Sequence, residues 1–416
     1  MGFGYDLVYL TGAVLASPVW MARMLRTDKW RTDWRARFGD GAPLPASERP
    51  TILLHGVSVG EVSSLAPVVA QLEGAGTRPV VSATTDTGLA RARTLYGQRL
   101  PVVRYPFDVT RAVAQFLDRV APAAVGLTEL EVWPNFMEAC EARGVPVAVI
   151  SGRLSASSFE RYRKVRRWVA PTFAKLAAVG AQTPEYAERF VALGVPAERV
   201  RVTDSTKWDA APAQVDEAAA ARLARALGID RSRPLVVAGS TGPGEEARLL
   251  SELPADLQVL IAPRKPERFE EVAALEPRFV RRSTSPDGSE RAAGETRFLL
   301  DSMGDLSLAY ALADVAIVGR SFVDLGGSDP ITPVALGCAS IIGPYHANFA
   351  DVVDGLAAAG ALLVTERIRE TVADLLADPD ARAERVERGR AVIEARKGSA
   401  RRSADLLRAL LAVEQP

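Results

Sequence analysis

Short apolar runs recur along the chain, with helical patterns of apolar residues between them. Each run has the length and composition of a buried parallel strand, and polar or glycine residues follow it. This alternation is typical of βαβ units and predicts an α/β fold. The runs occupy residues 52–54, 80–84, 102–105, 124–128 and 147–150 in the first half, and residues 235–238, 260–262 and 315–318 in the second.

The turn at residues 55–61 places a carboxylate directly after the first apolar run. Residues 62–72 have the pattern of a helix, so we expect Glu61 in its first turn, at the carboxyl end of a strand, where α/β sheets bind ligands. Gly56 and Gly60 would let a substrate approach the backbone. The alternative is an acidic residue that only complements the helix dipole.

Polar clusters also follow three other strands predicted in the first half. They comprise residues 84–88, 128–135 and 151–155. Because the carboxyl ends of parallel strands meet at one edge of a sheet, we expect these clusters to converge with Glu61 on one crevice.

A second domain is predicted to begin near residue 230, where an alanine-rich and charged stretch gives way to a new strand. That strand ends in a glycine and hydroxyl loop, residues 239–246, which is suited to hold a phosphate on backbone N–H groups. The loop is neither a Walker loop nor a dinucleotide fingerprint. Basic residues and glycine turns follow later strands, at 263–269 and 319–330.

The composition is that of a globular protein of two domains, with 416 residues, 48% of them hydrophobic and 25% charged. A formal net charge of zero gives no argument for a nucleic-acid partner. Cys140 and Cys338 lie far apart in apolar contexts, and the chain has only two histidines. We therefore expect no disulfide framework, no metal site and no cofactor.

The amino terminus departs from this pattern, because residues 7–22 carry no charge and basic residues and tryptophans follow at once. Sixteen residues are short for a hydrocarbon core about 30 Å thick, so we expect an embedded or re-entrant anchor. Six basic residues against two acidic ones at 23–37 give a local charge of +4, which suits an anionic cytoplasmic membrane surface. The alternatives are a signal peptide, which carries its charge before the apolar stretch, and a buried amphipathic helix.

A second basic stretch lies at residues 161–167 and flanks Tyr162 and Trp168. Such a charge run is usually a solvated helix face. The functional alternative is a surface for an anionic acceptor or for membrane headgroups.

Taken in order, these motifs resemble the 3-deoxy-D-manno-octulosonic acid (Kdo) transferases. The resemblance spans nearly the whole chain, and an ordered series of motifs is far more specific than one glycine motif. The matching segments are residues 55–61, 84–88, 106–108, 128–135, 153–162, 207–209, 239–246, 263–269, 301–306, 343–344 and 348–349.

The resemblance implies a GT-B fold, in which two Rossmann-like domains face each other across a cleft, with an N-terminal membrane-associating helix. The implied divisions are a membrane-associating segment at 1–38, an acceptor domain at 39–215, a nucleotide-sugar donor domain at 216–400, and a C-terminal helix at 401–416 that packs back on the N-terminal domain.

The implied activity is that of an inverting glycosyltransferase that moves Kdo from CMP-Kdo to a lipid A precursor in lipopolysaccharide biosynthesis. The expected location is the cytoplasmic face of the bacterial inner membrane, and Glu61 would be the general base. The implied acceptor-side residues are Ser58, Gly60, Thr84, Thr85, Glu129, Glu131, Arg153 and Ser155. The implied donor-binding residues are Lys207, Ser240, Thr241, Gly244, Glu245, Arg264, Arg268, Met303, Gly304, Gly326, Gly327, Ser328, Asp329, Thr332 and Asn348.

The sequence departs from the family pattern in the donor region. The family sequence Gly-Gly-His-Asn-Pro-Leu-Glu-Pro reads Gly-Gly-Ser-Asp-Pro-Ile-Thr-Pro at residues 326–333, and Gly242 stands where histidine is usual. The family glutamate is expected on the nucleotide ribose, whereas Thr332 offers only an uncharged hydrogen bond. Two alternatives follow: a membrane-associated GT-B protein with altered donor specificity or lost turnover, and an enzyme of the nucleotide-sugar epimerase type.

Overall fold

The computed structural model describes Asp6 and residues 32–212, 214–285 and 294–412. These residues form two compact units. The first comprises the described residues up to Ala210 together with those from Arg396 onward, and the second runs from Ala211 to Ala395. The predicted α/β class is confirmed, because each unit is built on a parallel sheet of seven strands.

Seven strands form the sheet of the first unit: β1 (Thr51–Gly56), β2 (Arg78–Ala83), β3 (Val102–Arg104), β4 (Ala124–Thr128), β5 (Val147–Gly152), β6 (Ala178–Ala181) and β7 (Val200–Val202). Their order is β3-β2-β1-β4-β5-β6-β7. Strand β1 is buried throughout, since Leu53 packs into the core on one face while Ile52 and Leu54 pack into the core on the other. Burial on both faces explains the uninterrupted apolar run at residues 52–54 in the middle of this strand.

The helices of the first unit connect these strands and cover both faces of the sheet. They are α1 (Trp34–Arg37), α2 (Val59–Ser64), α3 (Ala66–Gly74), α4 (Asp86–Tyr96), α5 (Thr110–Val120), α6 (Pro134–Glu141), α7 (Ala156–Lys164), α8 (Arg166–Phe173) and α9 (Pro184–Leu193), with a 3-10 turn at Ala197–Arg199.

The helix predicted over residues 62–72 is two helices, α2 and α3, so the prediction of one continuous helix is wrong. Pro67 lies in the first turn of α3, and its ring can neither donate a hydrogen bond nor accommodate the carbonyl four residues earlier. The first helix is therefore short, with Glu61 in its first turn as predicted.

The sheet of the second unit has the strands β8 (Leu235–Thr241), β9 (Gln258–Pro263), β10 (Val280–Arg281), β11 (Arg297–Leu299), β12 (Val315–Val318), β13 (Ala339–Ile342) and β14 (Leu362–Val364). Their order is β10-β11-β9-β8-β12-β13-β14. The helices are α10 (Glu217–Leu227), α11 (Glu245–Glu252), α12 (Phe269–Ala273), α13 (Leu306–Leu312), α14 (Ile331–Ala335), α15 (Ala350–Ala358), α16 (Ile368–Ala377) and α17 (Pro379–Arg396), with 3-10 turns at Pro266–Arg268, Arg282–Thr284 and Ala347–Phe349.

The last helix, α18 (Ser399–Ala409), belongs to the first unit. Leu407 is fully buried in the same core as Leu54. A Cβ atom on Gly126 would lie 3.0 Å from the side chains of both leucines, so glycine on β4 lets the helix approach closely.

The predicted membrane anchor at residues 7–22, with Trp20 and Trp30, lies outside the described residues. Within the described ranges, no helix has the length and apolar content to cross a bilayer. Trp34 packs near Phe107, with ring centroids 6.2 Å apart. Two of the basic residues in the predicted membrane-associating segment form ion pairs, Arg35 with Asp40 and Arg37 with Asp86.

Candidate active site

Glu61 lies where β1 turns into α2, and short hydrogen bonds hold its carboxylate. The Val57 N–H donates to Oε2 at 2.9 Å, and the Ser58 hydroxyl donates to Oε1 at 2.7 Å. Ser58 also caps the helix by accepting from the Glu61 N–H at 3.4 Å. The pair is a variant of the capping box, so part of the role of Glu61 is to stabilise this turn.

The pKa of Glu61 is raised to about 7, first by burial and then by the negative charge of Glu129. The hydrogen bonds from Val57 and Ser58 act in the opposite direction, and the charge of Glu131 adds a smaller increase. A carboxyl group that titrates near neutrality exchanges protons easily at physiological pH, which is what a general base requires.

Glu129 and Glu131 lie on the segment after β4, close enough to Glu61 for their charges to act on it. Glu129 has a φ of +60°, unusual for a residue with a side chain, and its carboxylate forms an ion pair with Lys207 at 3.5 Å. Glu131 accepts a hydrogen bond from the Trp133 indole at 2.8 Å, and burial raises its pKa. The structure thus gathers three of the predicted carboxylates, together with Lys207, in the first unit.

Thr84 and Thr85 follow β2 and support the turn from beside it. The Thr85 hydroxyl donates to the Val57 carbonyl at 2.7 Å, and Thr84 lies 3.3 Å from Nε2 of His55. His55 is fully buried and stacks on Tyr105 with ring centroids 3.7 Å apart, and burial lowers its pKa to about 3. A histidine that stays neutral is a packing element here. Thr85 binds the carbonyl of Val57, the residue whose N–H donates to Glu61.

The remaining acceptor-side candidates have more local surroundings. Ser155 caps α7 by accepting from the Ser158 N–H at 3.3 Å, and Arg153 lies half-buried after β5. A Cβ atom on Gly60 would meet no atom closer than 3.8 Å, whereas one on Gly56 would lie 3.1 Å from the Val62 nitrogen. The close approach that requires glycine is therefore at Gly56, within the protein.

In the second unit, Glu245 joins the loop after β8 to the loop after β12. Its carboxylate accepts four backbone hydrogen bonds, from Gly242 at 2.7 Å, Arg320 at 2.6 Å, and Ser321 and Phe322 at 2.9 Å each. The side chain is 2% exposed. The hydrogen-bonding capacity of the Glu245 carboxylate is therefore used within the protein. One of the loop N–H groups predicted to bind phosphate, that of Gly242, donates to Glu245 instead.

Thr241, Glu246 and Arg268 form a second buried group beneath the same loop. Arg268 binds Glu246 through two hydrogen bonds of 2.6 and 3.0 Å, and the Thr241 hydroxyl donates to Glu246 at 2.8 Å. The hydrogen bond to Glu246 raises the pKa of Arg268 further above its usual value. These contacts support the loop from below.

The segment that departs from the family pattern folds onto itself. Asp329 accepts hydrogen bonds from the Thr332 hydroxyl at 2.6 Å and from the Ile331 N–H at 2.9 Å. Ser328 lies 3.4 Å from the carbonyl oxygen of Ser240, to which its hydroxyl donates. The carboxylate in this segment therefore stands at position 329, and Thr332 supports it.

Several donor-side candidates surround these loops. Gly326 and Gly327 both have positive φ angles, and a side chain on Gly326 would collide with Asn348. Arg264 is exposed after β9, where its N–H donates to the Thr241 carbonyl at 3.0 Å. The other two candidates are exposed or conformationally special: Met303 at 65% exposure, and Gly304 at a φ of +102°.

Sequence reasoning named Ser240 as a donor-side candidate but did not name Arg320, and it foresaw the backbone conformation of neither. Ser240, at the end of β8, and Arg320, just after β12, both adopt left-handed conformations, with φ angles of +57° and +59°. No sequence signal marks such a position when the residue is not glycine or asparagine. No group of three or more metal-ligating side chains lies together in the part of the chain that the structure describes.

Two parallel seven-stranded sheets, with candidate carboxylates and glycine loops at their strand ends, define a GT-B-like glycosyltransferase fold. Solved structures share it: a glycosyltransferase from Rickettsia africae has a TM-score of 0.59 and 11% identity over 88% of this chain and 100% of that chain. A UDP-GlcNAc 2-epimerase from Neisseria meningitidis has a TM-score of 0.57 and 14% identity, with 87% and 99% covered. At these identities the likeness concerns the fold alone.

The family is shown by sequence. The family model described as 3-deoxy-D-manno-octulosonic-acid transferase (kdotransferase) matches residues 32–210. The 3-deoxy-D-manno-octulosonic acid transferase of Bordetella pertussis is 35% identical over 430 aligned positions, covering 98% of this chain and 99% of the relative. The chain belongs to the Kdo transferase family and is a glycosyltransferase.

Proposed function

We propose that this enzyme transfers Kdo from CMP-Kdo to a lipid A precursor, with inversion at the anomeric carbon. The observation that carries the proposal is the Glu61 carboxylate, whose pKa of about 7 and place at the end of β1 suit a general base, in a chain of the Kdo transferase family. The candidate carboxylates Glu129 and Glu131 lie beside it, and we assign this edge of the first unit to the acceptor.

In the proposed reaction, a sugar hydroxyl of the acceptor attacks the anomeric carbon of Kdo while its proton passes to Glu61. The bond from that carbon to the phosphate oxygen breaks, and CMP leaves with the bonding electrons. One base and no covalent sugar intermediate are needed for a single inversion. Arg264 and the backbone N–H groups near Ser240 would stabilise the charge on the leaving phosphate.

The proposed domain roles follow the sequence divisions, with residues 39–215 binding acceptor, residues 216–400 binding the donor, and residues 401–416 completing the first unit. The facing arrangement of the two domains is part of this proposal. The proposed location is the cytoplasmic face of the inner membrane, with residues 1–38 as the anchor. Deletion of residues 1–25 would then reduce flotation with anionic liposomes more than it reduces CMP binding.

The decisive test is transfer of labelled Kdo from CMP-Kdo to a detergent-solubilised lipid A precursor, with a UDP-sugar as control donor. Glu61→Gln keeps the shape of the side chain but takes up no proton, so its rate should fall by about 10² to 10⁴ while CMP binding is retained. Near wild-type turnover by the purified variant would remove Glu61 as the base.

A changed donor is the second candidate, because Asp329 and Thr332 replace the asparagine and glutamate of the family pattern and bind each other. Transfer from the UDP-sugar with none from CMP-Kdo would support it. Binding of CMP without transfer from any donor would instead indicate a protein that has lost turnover.

A further inference from the structure

The corner between α7 and α8 exposes apolar and basic side chains together. Trp168 is 64% exposed and Val165 is 45% exposed, and they are adjacent because the Trp168 N–H donates to the Val165 carbonyl at 2.9 Å. The Arg167 guanidinium lies over the Trp168 ring, 4.9 Å from its centroid. Two adjacent exposed apolar side chains form a small contiguous apolar surface, which is more informative than a single exposed residue.

The charge around this corner is strongly positive. Residues 160–168 include five basic residues and one acidic residue, Glu160, which pairs with Arg163 at 2.7 Å. Within the described ranges, no carboxylate forms an ion pair with the other four, which are Arg161, Lys164, Arg166 and Arg167. Tryptophan at headgroup level with arginine and lysine around it is the combination that binds an anionic lipid surface.

The opposite side of the same helices is anchored in the core next to the acceptor carboxylates. Tyr162 packs against Phe173 with ring centroids 5.9 Å apart. Burial raises the pKa of Tyr162, and the nearby negative charge of Glu131 adds to the increase. A membrane bound at this corner would therefore lie beside the part of the first unit to which Glu131 and Glu61 belong.

We propose that the corner formed by residues 161–168, here called the basic corner, docks on an anionic lipid bilayer. This contact is additional to the anchor assigned to residues 1–38. The biological role of this docking rests on the proposed function: an amphiphilic acceptor could reach Glu61 with its acyl chains still in the membrane. The lipid contact itself can be measured without any transfer reaction.

A fluorescent reporter on the full-length chain tests the proposal. Val165→Cys, labelled with an environment-sensitive dye, reports on the corner, and Val202→Cys is the matched control, because Val202 is 43% exposed on β7 of the same unit. The native thiols do not interfere, since Cys140 and Cys338 are both buried. With vesicles containing phosphatidylglycerol, the dye at 165 should shift to shorter wavelength and be quenched by a lipid-borne quencher, and the dye at 202 should not.

Charge is tested in the same labelled protein. Lys164→Gln and Arg167→Gln should each weaken vesicle binding by about fivefold, whereas Arg201→Gln, an exposed arginine on β7, should not. Binding should also fall with added salt and be weak on vesicles of phosphatidylcholine alone. A protein that floats with vesicles while the dye at 165 stays unchanged would overturn the proposal, and so would equal responses at 165 and 202. Absence of a shift at 165 with any lipid would also overturn the proposal. The solubilised-acceptor assay decides the transfer function separately.

Discussion

Two opposing effects set the proton affinity of Glu61. Hydrogen bonds from Val57 and Ser58 favour its ionised form, but burial and the charge of Glu129 outweigh them and bring the pKa to about 7. The same hydrogen bonds fix the carboxylate in one orientation. A dipole-complementing glutamate on an exposed helix would have no reason for a raised pKa, so the electrostatics favour the catalytic interpretation over the structural one.

The first prediction concerns the pH profile. Because the base must be ionised, kcat should rise with pH through about 7 and be roughly tenfold below its plateau one pH unit lower. Glu129→Gln removes a negative charge that raises this pKa, so the rising limb should move to lower pH. Glu138→Gln, which lies in the same unit but pairs with Lys175, serves as the control. If the rising limb stayed at the same pH in Glu129→Gln, the limb would not arise from the ionisation of Glu61.

The second prediction concerns Asp329 and Thr332, whose side chains bind at 2.6 Å. Compared with the family pattern, the carboxylate has moved from position 332 to position 329. Thr332→Glu alone would place two carboxylates side by side, so CMP binding should not improve and should weaken. Asp329→Asn combined with Thr332→Glu restores the family residues at these two positions and should bind CMP more tightly, by up to about tenfold.

Calorimetric titration of CMP into the parent and both variants measures this difference. Circular dichroism provides the control for folding. If the single variant bound CMP more tightly than the double variant, the carboxylate at 329 would have no bearing on the nucleotide site.

At the scale of elements, each of the eight apolar runs corresponds to a strand of the structure, although the runs at 80–84 and 102–105 extend one residue beyond β2 and β3. A strand that is buried on both faces has a largely apolar sequence, so β1, β4 and β8 were predictable. Strands such as β6 (Ala-Val-Gly-Ala) and β10, with two residues, carry too little pattern. The sequence also did not show that Glu245 and Arg268 support the loops from within the protein. Glu245 accepts from backbone N–H groups and Arg268 binds the Glu246 carboxylate, and only folding brings these partners together.

The third prediction tests Glu245 as a positioning residue for the donor loops. Each carboxylate oxygen of Glu245 accepts from two backbone N–H groups, and Glu245→Gln replaces one of these oxygens with an NH2 donor, so two N–H groups lose their acceptor and the loops around Gly242 and Arg320 should separate. The affinity for CMP should fall by about tenfold or more, with kcat at saturating donor changed less than KM. Glu252→Gln, on the same helix but paired with Arg248, should bind CMP normally. Equal CMP binding by both variants would contradict the assignment.

At the scale of the whole molecule, the chain leaves the first unit after Ala210 and returns to it at Arg396. Two aspartates near the exit receive the returning segment. Asp209 accepts from the Gly398 and Ala400 N–H groups at 2.7 and 2.9 Å, and Asp204 pairs with Arg396 and Arg402 at 3.0 and 2.9 Å. Asp209 thereby satisfies two of the orphan N–H groups at the start of α18, and these contacts hold the helix on the first unit.

The last prediction follows from that return. Leu407 is 0% exposed and packs in the core with Leu54, so Leu407→Ala should destabilise the first unit by about 2–5 kcal/mol. Hydrogen exchange should show faster exchange in β4 and β5, beside which the helix packs, and unchanged protection in β8 and β12 of the second unit. Arg408→Ala, at the neighbouring exposed position, should leave both units unchanged. Uniform loss of protection in both units would mean that they unfold as one cooperative body, and the helix would then stabilise both units and not the first unit alone.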